Sequence, residues 1–260
     1  MNHTVKKTTL LSSSLLVMSF SFSQVAFSSN LDYKKFQDKS TLKYGFKDMY
    51  SEKTTIQAKF DSVNAFSEGL AGVKIKDKYG FIDKTGKLVI PTKFDAIDSF
   101  SNDLCAVKIK DKWGFIDKTG KLVIPAQFDE STFFSEGLAY IKIDHKYGFI
   151  DKTGKLSIKP KFNDVYYFTE GLAGVKIGAS WGFIDKTGKL VIPTKFDEIG
   201  GFNNGLCAVK IKDKWGFMDK TTKVVIPAKF DFVTEFKNGF SKVKIDNKYS
   251  KIDIKGNKVN

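Results

Sequence analysis

Arginine is missing from this chain. All 43 of its basic residues are lysine, set against 29 acids for a net charge of +14. Arginine carries most bidentate recognition of phosphate and guanine, so its absence argues against sequence-specific nucleic-acid readout. Histidine is almost as scarce, with His3 and His145 the only two, and cysteine occurs only at Cys105 and Cys207. One histidine in the body of the chain and two distant thiols cannot build a zinc cluster. Long apolar runs are lacking too: after residue 30 none reaches the length that spans a bilayer, so no transmembrane segment is expected there.

The N-terminus carries an address of its own. Lys6 and Lys7 form a basic start, "TTLLSSSLLVMSFSFS" is an uncharged and weakly apolar run, and Ala26-Phe27-Ser28 places small residues at a cleavage site. The pattern predicts a signal peptide over 1–28 and an exported, periplasmic or extracellular protein, with 29–42 as a linker. No cysteine precedes position 105, which argues against a lipid anchor. Residues 1–28 hold two lysines and no acid, so their removal takes the net charge from +14 to +12. Export would permit a disulfide, but Cys105 and Cys207 both sit in "LCAVKI", where sister copies carry Ala71 and Ala173. A residue that alternates with alanine reads as a small buried filler, and three periods of separation keep the two thiols apart.

What the chain has in abundance is repetition. "KIKDKWGFIDKTGKLVIPAQFD" at 108–129 returns as "KIKDKWGFMDKTTKVVIPAKFD" at 210–231. Tyr79, Trp113, Tyr147, Trp181, Trp215 and Tyr249 recur every 34 residues, and Tyr44 stands 35 residues before Tyr79. Three phenylalanine columns, begun by Phe46, Phe60 and Phe66, account for 18 of the 25 Phe residues. A 34-residue period is also that of a helical repeat, so the content decides. In "LAGVKIK" (70–76), Ala71, Val73 and Ile75 alternate with Gly72, Lys74 and Lys76, which is a strand with one buried face. "YGFID" and "KLVIP" read as two more strands, and Asp-Lys-Thr-Gly as the turn between them. Thr222 replaces that turn glycine once. Pro91, Pro125, Pro193 and Pro227 are expected to end the third strand, with Pro160 one place later in its copy. Each unit is therefore a three-stranded antiparallel meander, followed by a loop through "FDxxxxFxxGL".

The register of "DKWGFIDKTGKLVIPAQFD" (111–129), followed by "FSEGLAYIKI" (134–143), resembles the bacterial WG-repeat, or KWG-repeat, family over residues 43–260. The resemblance implies an extracytoplasmic or host-facing repeat module, with no shared catalytic residues or agreed ligand, and no cofactor is expected. The fold class expected is all-β: tandem meanders forming an open twisted array, with a six- to seven-bladed propeller as the alternative. The open form is preferred because the two ends do not complete a single unit.

Candidate chemistry is thin. "GASWG" (178–182) matches a nucleophile-elbow pattern around Ser180, but that motif needs a helix after its turn, and here Ser180 aligns with Lys112 and Lys214 at a hairpin. His145 lies in the same turn one unit earlier. The Asp column headed by Asp83 could suggest calcium, yet each member has a turn to cap. Trp113, Trp181 and Trp215 share a strand face with core phenylalanines and are expected to be buried. The composite expectation is an exported, non-enzymatic binding module. Its partner would be an anionic envelope or surface polymer, or another protein, bound weakly over one column of lysines: Lys74, Lys108, Lys142, Lys176, Lys210 and Lys244. The alternatives are a structural or adhesive envelope component, and a hydrolase using Ser180.

Overall fold

The computed structural model describes residues 33–259. The expected signal segment lies outside these residues. Sheet one contains β1 (Tyr33–Gln37), β2 (Tyr44–Asp48) and β3 (Thr54–Phe60). Sheet two contains β4 (Ser62–Ser67), β5 (Leu70–Ile75), β6 (Lys78–Ile82) and β7 (Leu88–Phe94), hydrogen-bonded in that order. Sheets three to seven repeat this four-stranded plan over 96–128, 130–162, 164–196, 198–230 and 232–259. The fold is all-β. We call the four positions in a sheet the lead, VKI, WG and VIP strands.

Three expectations need correction. The unit has a fourth strand, because the start of the "FDxxxxF" loop pairs with the VKI strand, as Glu130 does with Lys142. Residues 33–37, taken as linker, are a strand paired with β2 through Phe36 and Gly45. The VIP strand does not stop at its proline: β7 runs through Pro91 to Phe94. Tyr79 pairs with Phe94 and Phe81 with Ile90, so Pro91, Thr92 and Lys93 bulge opposite Gly80 alone. The edge of a sheet and a bulge are the two places where a missing N–H is tolerated.

That bulge explains the glycine of each aromatic-Gly pair. A Cβ on Gly80 would stand 2.4 Å from the carbonyl oxygen of Ile90, and one on Gly114 2.6 Å from that of Ile124. The VIP strand's backbone lies directly on this position, so only glycine fits.

Consecutive sheets pack face to face. Ala71, Val73 and Ile82 of sheet two close over Phe46, Ile56 and Phe60 of sheet one, and the same interlock recurs at every junction. Rings bridge each junction, as in Phe81–Phe100 at 5.0 Å and Phe149–Phe168 at 4.9 Å. Polar latches add to them. Ser67 Oγ donates to the Phe100 carbonyl at 2.6 Å, and Ser135 Oγ to that of Phe168 at 2.7 Å. Glu68 accepts the N–H groups of Asn102 and Asp103 and pairs with Lys118 at 3.1 Å.

The end faces differ from these junctions. Where interior sheets present Ala and Ile, sheet one presents Lys34 and Lys47 in the same register slots. Sheet seven presents Lys242 and Lys251, both exposed, where sheet six has Ala208 and Phe217. Two lysine-bearing faces repel and bury nothing. Among the described residues no core cluster, ring contact or hydrogen bond joins sheet seven to sheet one. The sheets are blade-like, and the array they form is open rather than a closed barrel.

Candidate functional site

The six lysines of the expected column each stand opposite a lead-strand residue, and each is partly buried. Lys74, Lys142, Lys176, Lys210 and Lys244 lie 4.9–5.9 Å above the rings of Tyr79, Tyr147, Trp181, Trp215 and Tyr249. Such contacts hold an ammonium by the ring's negative face. Acids stand beside them. Lys142 binds Glu130 at 2.7 Å, Lys210 binds Glu198 at 2.7 Å, and Lys176 is registered against Asp164. Lys108 reaches Asp111 at 3.6 Å. Glu130 also takes the Tyr147 hydroxyl at 2.6 Å. This pairing raises the Lys142 pKa, while burial and then the Glu130 bond push the Tyr147 hydroxyl up to about 12. The charge of these lysines is offset by the rings and acids beside them.

The tryptophans behave as core. Trp181 and Trp215 are buried, and Trp113 is half-buried. Ser180 opens a strand registered against Ile177, and no helix follows it. His145 sits at φ 64 in a hairpin turn where Asp144 is also left-handed. The turn matches a type I′ geometry. Each column aspartate caps its own turn: Asp117 accepts the Thr119 N–H at 2.9 Å, the Thr119 hydroxyl at 2.6 Å and the Lys121 N–H at 3.1 Å. Among the described residues no group of three or more His, Cys, Asp or Glu could hold a metal ion. Both thiols are free and buried, and they donate to the carbonyls of Asp98 and Gly200. Burial first, and the Asp98 charge second, hold the Cys105 pKa well above its usual value.

A different surface emerges at the lead edge. The scaffold columns are nearly constant from copy to copy, but the first four residues after each "FD" or "FN" are not. They read SVNA, AIDS, ESTF, DVYY, EIGG and FVTE, at 62–65, 96–99, 130–133, 164–167, 198–201 and 232–235. These segments contain Asp98, Glu130, Asp164, Glu198 and Glu235 and no lysine, in a chain with 43. Their rings meet. Tyr166 stacks on Trp181 at 4.8 Å and 12°, and Phe133 packs on Tyr167 at 5.0 Å. Burial raises the pKa of Asp98, which accepts the Ser99 N–H at 2.7 Å. Burial likewise raises Asp164 and Glu235, and pushes the Tyr166 hydroxyl up to about 12. The field of Glu235 in sheet seven still reaches Tyr167 in sheet five. Between those two residues Gly200 and Gly201 contribute no side chain. Reading "FDxxxxF" as mere loop missed this surface, though aligning the copies and asking which columns differ would have found it.

A family profile described as "WG containing repeat" matches residues 44–79, 79–113, 113–147, 147–179, 181–215 and 215–249. No curated protein matches the sequence. Among solved structures, the dihydro-heme d1 dehydrogenase NirN in complex with DHE aligns with a TM-score of 0.56 at 13% identity, over 89% of this chain and 63% of that one. A eukaryotic initiation factor aligns at 0.59 and 11%, over 88% and 74%. BamB from Moraxella catarrhalis aligns at 0.51 and 10%, over 85% and 78%. The likeness is one of fold, to propeller-like proteins.

Proposed function

Because the chain belongs to the WG containing repeat family, we propose that it is an exported, non-enzymatic interaction module that presents its lead edge to an envelope polymer or protein. One observation carries this reading. The VKI, WG and VIP strands are nearly constant from unit to unit, while the lead segments diverge and carry rings and carboxylates. A repeat scaffold that binds holds its frame fixed and varies the residues it presents. The lysine column adds salt-sensitive attraction for an anionic polymer, weakened by the acids beside it. An enzyme is not favoured, since Ser180 and His145 occupy hairpin ends.

The test uses substitutions that sister units already tolerate. Ser99 holds the slot of Phe133 and Tyr167, so Phe133→Ser with Tyr167→Ser should leave the fold intact. Purified peptidoglycan, teichoic acid and lipopolysaccharide are offered separately to the parent and to this double variant. The parent should bind at least one of them, with about tenfold loss in the variant, the scale expected when aromatic anchors are truncated. Equal binding by both proteins, or none by the parent, would count against the lead edge as the polymer site.

A further inference from the structure

The VIP edge, on the opposite side of every sheet, has a character of its own. Each VIP strand is the last in its sheet, and those of sheets two, three, five and six expose two adjacent aliphatic residues. Leu88 and Val89 are 41% and 38% exposed, Leu122 and Val123 42% and 39%, Leu190 and Val191 41% and 39%, Val224 and Val225 41% and 37%. Four residues after the second of these comes an exposed lysine. Lys59, Lys93, Lys161, Lys195 and Lys229 fill this slot, and each lies 5.1–5.4 Å over the ring of the phenylalanine that follows it. Clefts separate consecutive sheets here. One of about 270 Å³ is lined by Lys93, Phe94, Ile109, Ile116, Gly120 and Leu122. Its counterpart two sheets on, about 300 Å³, has Lys161, Phe162, Ile177, Ile184, Gly188 and Leu190. Ile75, Ile177 and Ile245, the last residues of their VKI strands, are exposed rather than buried. The result is a strip in which aliphatic pairs, shallow apolar clefts and ammonium groups alternate along the array.

We infer that this strip docks the protein on an anionic lipid bilayer. Three features select that occupant. A strand from another protein would need a regular ladder, which the bulge and the missing N–H of Pro91, Pro125, Pro193 and Pro227 deny it. A hydrated polyanion would use the lysines but gain nothing from the aliphatic pairs, which lysine could replace on an edge selected only for solubility. A bilayer uses both. Aliphatic side chains enter the headgroup boundary while lysine stems lie along it and carry their charges to the phosphates. A single lysine near an anionic surface contributes little, so the repetition along one strip is what makes the attraction useful. The surface is separate from the lead edge and does not rest on the function proposed above.

The chain supplies tolerated substitutions for this test as well. Gln127 occupies the lysine slot in sheet three, and Ser157 the valine slot in sheet four. One variant changes Lys59, Lys93, Lys161, Lys195 and Lys229 to Gln, and a second changes Val89, Val123, Val191 and Val225 to Ser. Both keep residues 1–32, so any difference from the parent belongs to the strip. Co-sedimentation uses phosphatidylglycerol–phosphatidylcholine vesicles, pure phosphatidylcholine vesicles and, as a soluble polyanion, polyphosphate. The parent should bind the anionic vesicles in preference to the neutral ones, and each variant should lose about tenfold or more. Phe133→Ser with Tyr167→Ser should bind vesicles like the parent, which separates this outcome from the fate of the lead edge. Parent-like vesicle binding by the valine variant overturns the inference and leaves a polyelectrolyte site. So does equal binding to neutral vesicles.

Discussion

Thr222 stands where the other Asp-Lys-Thr-Gly turns have glycine, and it keeps the glycine's backbone at φ 73. The equivalent glycines show what this costs. They lie at φ 81–85, and a Cβ on Gly86, Gly120, Gly154, Gly188 or Gly256 would stand 2.9–3.2 Å from an isoleucine of the preceding sheet. A β-branched side chain in the left-handed region is disfavoured by about 1–2 kcal/mol, against which glycine's extra unfolded-state entropy returns part. Thr222→Gly should therefore stabilise the protein by about 1 kcal/mol and raise Tm by about 2–4 °C in a thermal melt. A lower Tm would mean that the threonine makes contacts outweighing its strain. The neighbouring rule, the glycine of the aromatic-Gly pairs, has a different origin: backbone of the VIP strand lies on the position, so the constraint is space rather than φ.

The turns and the VIP strands were unequally legible from sequence. Asp-Lys-Thr-Gly announces a capped turn because the aspartate has nearby N–H groups to satisfy, and the structure builds that turn in each copy. Proline announces an end to pairing, yet β7 continues past Pro91, since an edge strand has an unpaired side and a bulge absorbs the residue. The lead edge was illegible for another reason: in four of the six copies its strand has two residues and no periodicity, and only packing distinguishes a half-buried Tyr166 from a free loop tyrosine. The capped turns also set a pH response. The Thr119 hydroxyl, assisted by backbone N–H groups, lowers the Asp117 pKa below 3.8, and the same arrangement recurs at Asp83, Asp151, Asp185 and Asp219. A carboxylate lowered in the folded state stabilises above its unfolded value, and that contribution disappears as pH falls through the folded one. Asp98, Asp164 and Glu235, raised by burial, act oppositely: they disfavour folding as pH climbs past their ordinary values. Tm should accordingly drop as pH is lowered below about 4, and Asp151→Asn with Asp185→Asn should make that descent shallower. An unchanged slope in the double variant would assign acid sensitivity to other groups.

At the scale of the molecule, the two long edges and the two end faces have different chemistry. Lysine is excluded from the lead segments, alternates with aliphatic pairs on the VIP strip, and replaces apolar residues on the end faces. Stability is distributed along the array through nearest-neighbour junctions, each with a ring pair, an interlocked apolar face and a polar latch. Such a system behaves approximately as a sum of units and junctions. Removing residues 114–147 joins Trp113 to Gly148 and restores an aromatic-Gly pair in register. Ser101, which donates to the Phe134 carbonyl, would then meet Phe168 in the same role, and Lys152 would take the place of Lys118 beside Asp103. The shortened chain should fold cooperatively, with far-ultraviolet circular dichroism like the parent's, a modestly lower Tm and a shorter maximum dimension in solution scattering. A closed ring would respond differently, because its curvature is fixed by the number of blades and losing one opens a gap that no neighbour can fill. Aggregation or loss of the cooperative transition after this deletion would show that the lysine-bearing end faces meet after all.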